Sequence, residues 1–87
     1  MDASAEVFDL TERVVVSPSS GRVALPPAAA LSVEGEFVLR GDPVAAIRIG
    51  DVEVPVTTRF QGWMMGFLVL DGQPIHHGDP IAWLRRA

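Results

Sequence analysis

The sequence contains one pattern twice, and this internal repeat is the feature that most restricts its fold. The segment Gly41-Asp42-Pro43 is matched by Gly78-Asp79-Pro80, 37 residues later (78 − 41), and Glu34-Gly35 is matched by Asp71-Gly72 at the same interval. The same interval joins further similar residues: Val38 and Ile75, Ile47 and Leu84, Arg48 and Arg85, Pro18 and Pro55. We therefore expect one motif that occurs twice and packs on itself.

Both copies have the character of β-structure. Short β-branched or apolar runs are separated by closely spaced turn residues, and no window keeps a 3.6-residue period. Val52, Val54 and Val56 alternate along one predicted strand face, and Gly50-Asp51 between two β-branched runs predicts a two-residue hairpin. The sequence predicts an all-β fold, a flattened barrel of about eight short strands in two quasi-symmetric halves. Pairing the halves buries apolar faces that neither half buries alone.

Glycine and aspartate mark the predicted turns. Gly21 is expected to adopt a positive φ at the end of Ser17–Gly21, although its counterpart Gly62 lies 41 residues later (62 − 21) rather than 37. Structural turns are predicted at four positions: Gly41, Asp42, Gly78 and Asp79. There the aspartate side chain is expected to accept a hydrogen bond from the backbone just after it. Their repetition indicates turn structure rather than catalysis, because catalytic carboxylates work in different environments.

Composition excludes several functions. The chain has 87 residues, which predicts a single domain over residues 13–87 after an N-terminal extension over residues 1–12. A net charge of −4 disfavours nucleic-acid binding. Cysteine is absent, which excludes a disulfide and a thiol nucleophile; lysine is absent too, which excludes Schiff-base chemistry. The acidic start and the short apolar run Trp63–Leu70 predict neither a signal peptide nor a membrane span, so a cytoplasmic protein is expected.

The order of these motifs resembles the biotinyl/lipoyl attachment family, which has the barrel-sandwich hybrid fold. The resemblance covers Val14 to Arg85 and is carried by these segments: Ser17–Val23, Glu34–Val38, Gly41–Ile47, Val54-Pro55, Gly62–Met64 and Asp71–Ile81. In that family a Gly-Asp turn leads into a hairpin whose lysine carries biotin or lipoate. The matching hairpin here is Arg48-Ile49-Gly50-Asp51-Val52, with Asp51 in the lysine position. The resemblance implies the fold without the attached group, so no cofactor is expected.

The run Trp63–Leu70 is apolar on both predicted faces, unlike a half-exposed strand. Met64 is expected in the core, and Trp63 and Met65 are expected to point outward. Two interpretations stay open. Residues 1–12 or the crossing at 28–30 cover these side chains, or Trp63 and Met65 form a surface for a partner protein or a second copy, since Trp and Met are enriched in interfaces. Ile49 at the hairpin tip favours the second.

His76 and His77 are expected in a solvated turn rather than a metal site. Neighbouring residues on a strand point to opposite faces, and the pattern places no third ligand, so no metal is predicted.

The sequence favours a non-enzymatic, unmodified domain that acts as an interaction, accessory or scaffold module of a larger enzyme. The resemblance implies a protein partner in a biotin-dependent carboxylase or acyltransferase system. One alternative is a carrier-type subunit of such a system without its own cofactor. The other is a small ligand-binding barrel, for which polar candidates are few: Arg48, Asp51, Arg59, His76 and His77.

Overall fold

The computed structural model describes residues 12–26 and 35–86. This part of the chain contains eight strands: β1 Glu12–Val16, β2 Gly21–Ala24, β3 Phe37–Val38, β4 Pro43–Ile49, β5 Val52–Thr57, β6 Gly62–Phe67, β7 Pro74–Ile75 and β8 Pro80–Arg85. They form two antiparallel sheets of four strands, β1-β8-β6-β3 and β5-β4-β2-β7. No described residue is helical. The predicted all-β, flattened barrel-sandwich fold is confirmed.

The two sheets are built alike, in the strand order that a two-fold repeat requires. β3 and β4 recur as β7 and β8 after 37 residues (80 − 43), whereas β1 and β2 recur as β5 and β6 after 41 (62 − 21). The register confirms the second interval, because the irregularity between Val15 and Val16 opposite β8 recurs between Val56 and Thr57 opposite β4. Each sheet takes two strands from each copy, so neither copy forms a complete sheet alone.

These two intervals correct one predicted pair. Pro55 lies within β5, opposite Ala46 of β4, whereas Pro18 lies after the end of β1. The counterpart of Pro18 at the 41-residue interval is Arg59, so the match between Pro18 and Pro55 is coincidental. Four additional residues (41 − 37) separate β2 from β3 compared with β6 and β7. The predicted crossing at residues 28–30 falls in that stretch and lies outside the described residues.

Gly21 and Gly62 are required by close strand crossings rather than by a turn. Neither has a positive φ, so the predicted conformation of Gly21 is wrong. A Cβ atom on Gly21 would lie 2.5 Å from the Arg48 carbonyl oxygen, and one on Gly62 would lie 2.5 Å from the Arg85 carbonyl oxygen. Only glycine leaves room for the backbone there.

The core lies between the sheets and takes its largest buried side chains from both copies. Ile47 and Leu84 are counterparts, and both are fully buried. Met64 is also fully buried, as predicted. The face of β5 that carries alternating valines leaves the core towards the hairpin, because Val56 is buried and Val52 is exposed.

The Gly-Asp turns join the sheets through repeated hydrogen bonds. Gly41 and Gly78 have φ values of 91° and 88°, which a side chain would disfavour. The Oδ2 atom of Asp42 accepts a hydrogen bond from the Leu39 backbone N–H, and Oδ2 of Asp79 accepts one from the His76 backbone N–H, both at 2.9 Å. The aspartates therefore bind the backbone three residues before them, not the backbone after them as predicted.

Two buried hydroxyl groups hold the strand ends against these turns. Ser17 and Thr58 are counterparts (58 − 17 = 41), and their side chains donate at 2.6 Å to the carbonyl oxygens of Ser19 and Phe60. Their backbone carbonyl oxygens each accept a 2.8 Å hydrogen bond from a turn glycine, Gly78 and Gly41 respectively. Each turn is thus attached to a strand of the other copy.

Candidate functional site

The predicted hairpin between β4 and β5 is confirmed. Ile49 pairs with Val52, and Gly50 has a φ of 60°, as a two-residue turn with glycine in its first position requires. Ile49, Gly50, Asp51 and Val52 are all exposed. β1 begins at Glu12, and the predicted extension over residues 1–12 otherwise lies outside the described residues.

An ion pair lies directly behind the hairpin. The Arg48 Nη2 atom lies 2.6 Å from Oε2 of Glu53, and this hydrogen bond raises the pKa of Arg48. The same arrangement recurs where β1 meets β8, with Arg85 and Glu12 at 3.8 Å. Exposed pairs of this kind contribute little stability, so the tip is a plain turn supported by strand pairing.

Aromatic side chains collect on the outer face of the first sheet. Cα pairing places Glu12 beside Arg85, Arg85 beside Trp63, and Trp63 beside Phe37, in one row across all four strands. The Phe37 and Trp63 rings make an edge-to-face contact with centroids 5.2 Å apart. Such a contact adds stabilisation beyond buried area and fixes both rings.

A second row extends this apolar surface. Val14 of β1 pairs with Trp83 of β8, which pairs with Gly66 of β6. The guanidinium of Arg85 lies 5.9 Å from the Trp83 ring centroid and connects the rows. The register shift between Met64 and Gly66 makes Met65 an extra, exposed residue of β6. The aromatic face, as the name is used below, consists of six residues: Val14, Phe37, Trp63, Met65, Trp83 and Arg85.

The corresponding face of the second sheet shows that these aromatic side chains are not needed for the fold. Its rows are built from the counterparts of the same positions: Glu53, Arg48, Arg22 and Pro74, then Pro55, Ala46 and Ala24. Arg22 stands where Trp63 stands in the first sheet, and Ala46 stands where Trp83 stands. The same backbone pairing thus forms with charged or small side chains. A partly exposed Trp63, at 45%, is therefore best explained by contact with another molecule.

The structure brings some predicted site residues together and separates others. Trp63 and Met65 lie on one strand, and both are exposed. Ile49 lies at the hairpin of the second sheet and does not belong to the aromatic face. Sequence reasoning missed Phe37, Trp83 and Val14. The substitution of Arg22 by Trp63 between the copies was the available signal.

The polar residues proposed for a ligand-binding barrel do not form one site. Arg59 and His77 line a cavity of about 320 Å³ with Pro18 and Pro55, but Arg48, Asp51 and His76 do not line it. Among residues 12–26 and 35–86, no three His, Cys, Asp or Glu side chains are grouped to hold a metal. The described part also contains no helix of the length and apolarity that crossing a membrane requires.

No protein-family model and no curated protein matches the sequence. The fold does match parts of solved structures. One is a single-chain, multi-domain long-chain acyl-CoA carboxylase, with a TM-score of 0.70 and 19% identity over 87% of this chain and 7% of that chain. Another is the urea carboxylase of Kluyveromyces lactis, with a TM-score of 0.70 and 27% identity over 84% of this chain and 6% of that chain.

These matches define the chain as a small all-β module of the kind found within large carboxylases. It corresponds to less than a tenth of the length of each enzyme it matches. The fold implied by the biotinyl/lipoyl resemblance is thereby confirmed. The placement of Asp51 at the attachment position stays a prediction.

Proposed function

We propose that this chain is an accessory module of a larger, carboxylase-type enzyme and binds a protein partner through its aromatic face. It is not itself catalytic and carries no lysine-linked cofactor. The fold similarity to parts of two carboxylases supports the type of assembly. The absence of lysine from the sequence supports the unmodified state, because biotin and lipoate are attached through a lysine amine. An acyltransferase-type complex is the related possibility, and a cytoplasmic location is part of the proposal.

The observation that carries this proposal is the difference between two otherwise equivalent faces. Trp63, Trp83 and Phe37 occupy positions that the second sheet fills with arginine, alanine and proline. Tryptophan and arginine are the residues most enriched among those that dominate binding energy. Trp63 lies between Phe37 and Arg85 on paired strands, so little conformational entropy is lost when a partner covers it.

The experiment is affinity purification with Trp63→Ser and the matched control Arg22→Ser, which changes the equivalent position of the other face. We expect carboxylase or acyltransferase subunits to co-purify with the wild-type chain and with Arg22→Ser, but not with Trp63→Ser. Removing a central interface tryptophan weakens binding by about 2 kcal/mol or more, which is roughly 30-fold. A folded Trp63→Ser variant that retains the partner would refute the proposed surface.

Self-association through the same surface is a distinct result of this comparison. Sedimentation of the purified chain would then show a dimer that Trp63→Ser converts to a monomer, with no carboxylase subunit recovered. That outcome would replace the accessory role with a homo-oligomer formed through Trp63–Leu70.

A second candidate function is a carrier-type subunit without its own cofactor, which occupies the place of a true carrier. The exposed Ile49 and Val52 at the hairpin favour it, because they present an apolar tip where the resembling family presents its attachment site. Asp51→Lys tests this function with a biotin or lipoate ligase and intact-mass measurement. A mass increase in the variant alone would support a carrier-like tip, whereas an unmodified, folded variant would favour the aromatic face.

A further inference from the structure

A cavity of about 350 Å³ lies where four segments of the chain meet, and it is lined mainly by arginine. Arg13 comes from β1, Arg40 from the turn before β4, and Arg86 from the end of β8. Phe60 and Gln61, between β5 and β6, complete the described lining. This arginine cleft holds three of the seven basic residues of a chain whose net charge is −4.

The chain itself holds two of these side chains in place. The Arg13 guanidinium lies 5.7 Å from the centroid of the Phe60 ring, and its Nη1 donates a 3.0 Å hydrogen bond to the Glu12 carbonyl oxygen. The Phe60 backbone is held by the buried Thr58 hydroxyl, which accepts from its N–H at 3.0 Å. Such groups are positioned before a ligand arrives, which lowers the entropy lost on binding.

The internal repeat shows that the fold does not need these charges. The counterparts of the lining residues, 37 or 41 positions along the chain, are Val54, His77, Ser19, Ser20 and Ile49. The backbone repeats there without a single arginine. The three guanidinium groups therefore have a role other than completing the barrel-sandwich.

The charges of the cleft indicate its ligand. No acidic residue is among the described residues that line it, and neighbouring like charges repel one another. The guanidinium fork matches phosphate oxygens in a bidentate manner. A phosphate group carries about −1.5 to −2 charges at neutral pH, so two linked phosphates balance three arginines better than one carboxylate does.

We propose that the arginine cleft binds a small ligand with a diphosphate group. The cavity volume lies within the range of small-molecule sites, roughly 300–1,000 Å³. The proposal goes beyond the partner-binding role, since it rests on Arg13, Arg40 and Arg86 and not on the aromatic face.

Titration calorimetry with inorganic diphosphate and with ADP tests this site at constant ionic strength. Wild-type protein should bind at least one of them saturably with one-to-one stoichiometry. Arg40→Gln should weaken binding about tenfold or more, as expected for the loss of charge-assisted hydrogen bonds. The matched control Arg48→Gln makes the same change in net charge outside the cleft and should alter affinity less than about twofold. Thermal unfolding establishes that both variants are folded.

A second variant keeps the test decisive if Arg40→Gln does not fold. Gln61→Glu places a carboxylate among the arginines and should also weaken diphosphate binding. Three results would overturn the proposal: no saturable binding at millimolar ligand, equal weakening by Arg40→Gln and Arg48→Gln, or tighter binding of citrate than of either diphosphate compound. Trp63→Ser should leave diphosphate affinity unchanged, so the partner-binding proposal and this one can fail separately.

Discussion

The close crossing at Gly62 leads to a quantitative prediction about Gly62→Ala. The added Cβ atom would lie 2.5 Å from the Arg85 carbonyl oxygen, whereas ordinary contact begins at 3.4 Å. The two backbones must therefore separate by about 0.9 Å (3.4 − 2.5). Both groups are main-chain atoms, so no side-chain rotation relieves the contact, and the pairing of Trp63 with Arg85 is strained directly.

We expect this strain to lower the free energy of unfolding by about 1–3 kcal/mol. For a domain of this size the melting temperature falls by roughly 4–8 °C for each kcal/mol, so Gly62→Ala should melt about 4–24 °C below the wild-type protein. Urea denaturation followed by circular dichroism measures the free energy, and Trp63 fluorescence reports the strand next to the substitution.

The internal repeat provides both a replicate and a control. Gly21→Ala creates the same 2.5 Å contact with the Arg48 carbonyl oxygen and should destabilise the protein to a similar extent. Gln61→Ala, at the exposed position beside Gly62, should change stability by less than about 0.5 kcal/mol. If either glycine variant stays within about 0.5 kcal/mol of wild type, the reasoning from close backbone approach is wrong.

Three further predictions concern stability and are measured by urea denaturation. Ile47→Ala removes a fully buried side chain from between the sheets and should cost about 2–5 kcal/mol; a value under 1 kcal/mol would mean that the core collapses around the site. Thr58→Val leaves the buried groups of Phe60 without their hydroxyl partner and should cost about 1–3 kcal/mol, whereas an unchanged midpoint would show that water replaces it. Asp42→Ala and Asp79→Ala should each cost about 0.5–2 kcal/mol and agree closely, and very different losses would argue against equivalent turns.

The fold could be predicted from the sequence because the repeat is local and survives without knowledge of pairing. The interval between Gly41 and Gly78 leads directly to two equivalent halves. The interval between Gly21 and Gly62 reads as an irregularity until strand pairing shows that four residues are added between β2 and β3. The match of Pro18 with Pro55 was wrong for the same reason, since it applied the shorter interval to a part of the chain that follows the longer one.

The candidate surface was only partly predictable. Trp63 and Met65 were found because the strand fails to alternate, which is a local signal. Phe37 and Trp83 join them through pairing between residues far apart in sequence, and single-sequence patterns do not determine register between such strands. The arginine cleft was missed entirely, because its side chains come from four segments that converge only in the folded protein.

The pairing of Glu12 with Arg85 has a consequence for how the module is connected within a longer polypeptide. The first and last strands are neighbours, and the two-fold relation carries this pair onto Glu53 and Arg48 at the hairpin. A circular permutant that links residue 86 to residue 12 and opens between Gly50 and Asp51 would therefore preserve every strand pair. The hairpin and the chain ends are interchangeable in topology, so the same module can be spliced into a larger protein at either place.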